Sequence, residues 1–169
     1  MYSSVLASSG ASKERKIHMI KILFVCHGNI CRSTMAEFVF KDMVKKQGLQ
    51  DNFLIESKAT HRDELGSDTY WGTKEKLDKE GIPYTRRRAT LMTREDYERY
   101  DYILGMDDEN MFFIKKIVGS DPDNKVHLLM SYAGEDRSIA DPWYTGNFDE
   151  TFNDVTAGCK GLLKAIASK

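Results

Sequence analysis

The stretch Val25-Cys26-His27-Gly28-Asn29-Ile30-Cys31-Arg32-Ser33-Thr34 concentrates residue types suited to handling a phosphoryl anion. It follows a short apolar run and precedes a helical pattern, so it reads as a strand-to-helix loop. Gly28 and Asn29 are residue types that readily take left-handed backbone conformations, which lets consecutive N–H groups turn inward. Such a nest at a helix N-terminus binds a dianion of the phosphate type. Arg32 adds a planar guanidinium able to grip two oxygens at once. Cys26 opens the loop beneath that anion, where helix-end amides and the arginine favour its thiolate. A thiolate below a bound phosphoryl group is placed for in-line attack on phosphorus. Thr34-x-x-Glu37 has the spacing of a capping box and predicts a helix starting there.

Expulsion of an oxygen leaving group benefits from a proton donor at the same sheet edge. Asp141-Pro142-Trp143-Tyr144 falls between the last strand-like run and the final helix, where such a loop belongs. Pro142 biases Asp141 towards an extended backbone that projects its carboxylate. Trp143 and Tyr144 offer flat walls for an aromatic leaving group. Asp121-Pro122 is the plain counterpart, an Asp-Pro turn with no aromatic neighbours. Other chemistries fit less well. A free cysteine is often only a small buried hydrophobe, but that does not account for the Gly-Asn and Arg-Ser context. Cys26, His27 and Cys31 lack a second Cys/His cluster to complete a zinc site, with His18, His61, His127 and Cys159 scattered. The loop also lacks the Gly-Lys-Ser/Thr ending of an ATP-binding loop.

The elements that must hold these groups alternate. Apolar runs at Ile20–Val25, Phe53–Ala59, Tyr102–Met106 and Val126–Met130 read as strands. Helical patterns cover Thr34–Gln47, with Gly48 as the stop, then Thr73–Lys79, Arg94–Arg99 and Asp108–Val118. The last helix carries a stripe of Phe148, Phe152, Val155, Cys159, Leu162, Leu163 and Ile166. Alternation with buried strands predicts an α/β fold with a parallel sheet and helices on both faces. Ligands in such folds sit beyond the carboxyl ends of the strands. The chain has 169 residues, 41% hydrophobic and 30% charged, a size and composition for one globular domain. Residues 1–18 read as a tag or disordered leader and residues 19–169 as the domain.

Lys plus Arg number 25 and Asp plus Glu 26, a net −1 that argues against binding nucleic acid through bulk charge. No apolar run approaches the ~20 residues of a membrane-spanning helix, so no membrane insertion is expected. Three cysteines do not make a secreted disulfide framework, and a cytoplasmic location follows. Between residues 133 and 154, Glu135, Asp136, Asp141, Asp149, Glu150 and Asp154 face Arg137 alone, so positive potential must be concentrated in the anion loop.

From Ile20 to near the C-terminus the chain resembles the low-molecular-weight protein tyrosine phosphatase family. The likeness rests on the Cys26–Thr34 loop, on Asp141-Pro142-Trp143-Tyr144, and on Tyr100-Asp101-Tyr102-Ile103-Leu104-Gly105-Met106-Asp107. The resemblance implies a four-stranded parallel sheet of order 2-1-3-4 flanked by helices. It implies that Cys26 is the nucleophile, that Arg32 binds phosphate and stabilises the transition state, and that Asp141 is general acid and then base. Asn29 would hold the loop and Ser33 would hydrogen-bond the thiolate. Gly28 and Cys31 belong to the phosphate loop, with His27, Ile30, Trp143 and Tyr144 at its mouth. A phosphotyrosine-containing protein or peptide is the implied substrate and inorganic phosphate the product, with no cofactor or metal.

Thr34 stands where the family usually has proline. Arg87 stands where it often has a loop-buttressing histidine, and a guanidinium is not an obvious substitute, so Arg86, Arg87 and Arg88 read as a solvated basic patch. In this family a pair such as Cys26 and Cys31 can form a protective disulfide; a small buried loop residue is the other reading of Cys31. His61 and His127 show no partner in sequence. Three alternatives remain: a phosphoarginine phosphatase of the same fold, an arsenate reductase, and a non-catalytic phosphate-binding module.

Overall fold

The computed structural model describes residues 18–169; the tag or leader expected over residues 1–18 lies, apart from His18, outside the described residues. Four strands form one parallel sheet: β1 (Ile20–Cys26), β2 (Phe53–Ala59), β3 (Tyr102–Gly105) and β4 (Val126–Leu128), in the order β2-β1-β3-β4. The helices are α1 (Arg32–Lys46), α2 (Trp71–Lys79), α3 (Asp96–Arg99), α4 (Asp108–Val118), α5 (Pro142–Thr145) and α6 (Phe148–Ala167). The expected fold class and strand order are those observed.

Strand β1 explains the layering. Its alternate residues Ile22, Phe24 and Cys26 join a cluster with Met35, Val39 and Phe40 of α1 and Val155, Cys159 and Leu162 of α6. Leu23 and Val25 point the other way, to Ile103, Ile114 and Val126. Side chains two apart share a face, so one buried strand feeds both layers. Cys159 has no exposed surface, in keeping with a core role. Helix α6 approaches the 3-10 turn Leu129–Ala133 closely at Gly161, where an added Cβ would overlap the Tyr132 carbonyl oxygen.

Three expectations need correction. Strand β4 ends at Leu128, because Leu129 and Met130 coil into the 3-10 turn and bury their side chains in the core. Helix α3 is only one turn; its start is fixed by the buried Asp96 carboxylate, which accepts from the Thr93 N–H at 2.8 Å. Helix α1 begins at Arg32, and no capping box forms at Thr34. The Thr34 hydroxyl donates to the Cys31 carbonyl, while Glu37 turns away to accept from Ser57 and Lys41.

Candidate active site

Strand order reverses at β1, whose neighbours β2 and β3 follow it on either side, and the carboxyl ends there flank a crevice. The loop Cys26–Arg32 lies at that point. Asn29 takes the left-handed conformation with φ 61°. Gly28 does not, contrary to expectation, so the turn rests on Asn29 alone. The backbone N–H groups of Gly28, Asn29, Ile30 and Cys31 meet no acceptor among the described residues, as an anion nest requires.

Asn29 is fully buried and its amide is fully used. Nδ2 donates to Ser33 Oγ and Ser57 Oγ, each at 2.9 Å. Oδ1 accepts from Arg87 Nη2 at 2.8 Å and from the Thr90 N–H at 3.1 Å. That inventory fixes the amide orientation, since a flipped group would face donor to donor. Ser33 Oγ accepts from Asn29 Nδ2 and from the Cys26 thiol, 3.1 Å away, which keeps the hydroxyl within hydrogen-bond reach of the sulfur.

Arg87 is the main departure from the sequence reading. Arg86 and Arg88 are exposed, but Arg87 turns inward. Its Nη1 donates to the Asn29 carbonyl at 3.1 Å, its Nη2 also reaches the Ser57 carbonyl at 3.3 Å, and its Nε lies 3.7 Å from Glu37. The long side chain carries its fork to the back of the loop, where several acceptors converge, so the guanidinium does buttress it. Ser57 donates onward to Glu37 at 2.5 Å. Neither Ser57 nor Glu37 was legible as a loop partner, because nothing local marks a serine in a strand or a mid-helix glutamate.

Arg32 is 2% exposed. Its Nη1 donates to Asp107 at 2.7 Å and to the Ile139 carbonyl at 2.8 Å, and its Nη2 to Asp141 at 3.4 Å. Its Nε is a buried donor with no acceptor among the described residues. Burial opposes the charge, but Cys26, Asp141 and Asp107 outweigh it and raise the pKa. Asp107 was missed as a site residue. It caps α4, accepting from the Asn110 N–H at 2.7 Å, and so holds Arg32 from a rigid helix end. An Asp-x-x-Asn just after a strand is the signal that could have found it.

Asp141 has extended backbone and caps the short helix α5, accepting from the Trp143 N–H at 3.1 Å. Cys26, Arg32 and Asp141 line one pocket of about 360 Å³ with His27, Gly28, Ile30, Cys31, Trp143 and Tyr144. Trp143 and Tyr144 are exposed at its mouth; Ile30 is buried, packed with Cys31 and Ala89, rather than standing on the rim. Asn29 and Ser33 sit behind the loop. Burial pushes the Cys31 thiol up, from 9.0 to about 12, with Cys26 and Asp141 adding to the shift. His61, read as unpartnered, stacks on His27 with ring centres 3.9 Å apart. His127 is a surface residue bonded to the Asn124 carbonyl, and Asp121 is structural, accepting from Tyr97, Lys125 and Val126. No group of three His, Cys, Asp or Glu side chains among the described residues is arranged to hold a metal ion. No helix among them is long and apolar enough to cross a membrane.

Comparison with known proteins places this geometry. The family model for low molecular weight phosphotyrosine protein phosphatase matches residues 21–169. The low molecular weight protein-tyrosine-phosphatase YfkJ of Bacillus subtilis is 38% identical over 151 residues, covering 88% of this chain and 96% of its own. The crystal structure of YfkJ superposes with a TM-score of 0.87 at 35% identity, over 90% of this chain and 98% of that one. A Drosophila arginine phosphatase structure is more distant, with a TM-score of 0.79 and 28% identity over 87% of this chain and 98% of its own. With its phosphate-type loop, paired Arg32 carboxylates and parallel sheet, the chain belongs to the low-molecular-weight protein tyrosine phosphatase family.

Proposed function

We propose that the chain hydrolyses phosphotyrosine in proteins or peptides through a phosphocysteine formed on Cys26. The reading rests on one observation above others. Cys26, Arg32 and Asp141 converge on a single pocket with Trp143 and Tyr144 at its mouth. The phosphoryl oxygens occupy the loop amides and the Arg32 guanidinium. Cys26 sulfur bonds to phosphorus as the phosphorus–oxygen bond to tyrosine breaks, and Asp141 gives its proton to the departing phenolate. Asp141, now a carboxylate, takes a proton from water as that water attacks phosphorus. The sulfur–phosphorus bond breaks and inorganic phosphate leaves. Loop amides and Arg32 stabilise the equatorial oxygens in both steps, and Ser33 hydrogen-bonds the leaving thiolate. No step calls on a metal ion. A thiolate nucleophile works in a reducing compartment, and the reading includes a cytoplasmic location.

The test is hydrolysis of a phosphotyrosine peptide and of phosphoarginine, side by side, with and without chelator. Wild type is expected to turn over phosphotyrosine in chelator, Cys26→Ser to be inactive, and Asp141→Ala to lose most of the rate. Activity that survives Cys26→Ser, or vanishes with chelator, would overturn the mechanism; preference for phosphoarginine would overturn the substrate.

A further inference from the structure

The mouth of the pocket has two characters. One part is aromatic. Trp143 is 51% and Tyr144 83% exposed, and Trp143 leans edge-on against Tyr70, which also contacts the exposed Trp71. Exposed aromatics gathered beside a pocket mark a surface that meets another molecule. The other part is acidic. Asp63, Glu64 and Glu109 line the same pocket as Asp107 and Asp141, with Arg32 and His27 as its cationic or titratable counterparts.

Two of these carboxylates face one imidazole. Asp63 lies 2.7 Å from His27 Nε2 and Glu109 lies 3.7 Å from Nδ1 of the same ring. His27 is in turn sandwiched on His61, which packs edge-on against Phe113 of α4. The Glu64 stem lies over Gly28, 3.4 Å from where a Cβ would stand. The loop after β2 is tied down as well, with the Thr60 and His61 N–H groups donating to the Cys26 and His27 carbonyls.

The pocket is built for an anion, as the buried Arg32 Nε without an acceptor among the described residues indicates. Yet Arg32 already faces Asp107 and Asp141, so a phosphoryl dianion enters a mouth where Asp63, Glu64 and Glu109 repel it. A ligand that brings its own cations removes that conflict. We propose that this mouth selects phosphotyrosyl segments carrying lysine or arginine beside the phosphotyrosine. The basic side chain meets Asp63, Glu64 and Glu109 at the acidic part of the mouth. The inference rests on the phosphotyrosine reading and narrows it to a substrate class.

The test uses phosphotyrosyl peptides identical except for flanking Lys/Arg, Asp/Glu or neutral residues, with kcat/KM measured for wild type and for Glu64→Gln/Glu109→Gln. Exposed charge pairs are individually weak, so the basic peptide should lead the acidic one by about tenfold at low salt, summed over several pairs. That lead should shrink towards about twofold near 1 M salt, where the screening length is about 3 Å. The double variant should lose most of the lead at low salt. Equal kcat/KM for the two peptides in wild type, a lead insensitive to salt, or a lead unchanged in a folded double variant would each overturn the inference. Hydrolysis of none of the three peptides would instead overturn the phosphotyrosine reading beneath it.

Discussion

Replacing Arg87 by leucine removes the fork behind the phosphate loop while keeping a stem of similar bulk. Arg87 gives Asn29 two hydrogen bonds, at 3.1 and 2.8 Å, and gives the Ser57 carbonyl a longer one. Bonds from a charged donor contribute about 1.5–3 kcal/mol each, and these share one side chain, so they do not add in full. The expected loss of stability is about 2–3 kcal/mol. For a chain of this size that lowers Tm by roughly 5–10 °C. The larger effect falls on turnover, because Arg87 ties both the Asn29 carbonyl and its side-chain oxygen to the back of the loop, and a loop misplaced by about 1 Å costs about 10²-fold. Steady-state hydrolysis of p-nitrophenyl phosphate, run beside thermal melting, separates the two. Arg87→Lys keeps the charge without the fork and should fall between wild type and Arg87→Leu. Arg87→His should recover part of the rate and add an ionisation near pH 6.5 to the profile, where arginine has none. Arg87→Leu with wild-type kcat and a Tm within about 1 °C would refute the reasoning.

Asp107→Asn keeps an oxygen to cap α4 but removes the charge 2.7 Å from Arg32. KM for p-nitrophenyl phosphate should rise about tenfold, corresponding to a lost charged hydrogen bond, while Tm changes by only a few degrees; an unchanged KM would count against Asp107 as the residue that positions Arg32. Burial holds the Cys31 thiol at about 12, so at pH 8 iodoacetamide should alkylate Cys26 in native protein and spare Cys31, as peptide mapping can read. Cys31 stays protonated until pH approaches the folded value, and folding stability falls as pH rises above the unfolded thiol's value near 9.0. Gly161→Ala forces α6 away from the Tyr132 carbonyl and should cost about 1–3 kcal/mol in a melt, with kcat unchanged because the contact lies outside the pocket.

What was legible in the sequence was local. Strand β2 and helix α4 match their expected spans, and the left-handed Asn29 and the helix-capping Asp141 carry their signals in their own residue types and immediate neighbours. What was not legible is what arrives from far along the chain. Arg87 reaches Asn29 across 58 residues and Asp107 reaches Arg32 across 75, and no periodicity records such meetings. A run of three arginines suggests solvent, whereas the middle one finds a cluster of acceptors behind the loop. The Thr34–Glu37 box misled for a related reason. Ser57 and Lys41 offered Glu37 better partners than the helix end did. The stacking of His61 on His27 depends on how β2 lies beside β1, not on the sequence neighbours of His61.

The central claim is that phosphate passes through Cys26. Asp141→Ala turning over p-nitrophenyl phosphate should accumulate the intermediate, because that phenolate departs with little help while water attack lacks its base. A rapid denaturing quench followed by peptide mass spectrometry then locates the phosphoryl group. One phosphoryl group is expected on the peptide containing Cys26, and none in the Cys26→Ser protein, which should also be inactive. A phosphoryl group on any other residue, or turnover that persists in Cys26→Ser, would contradict it.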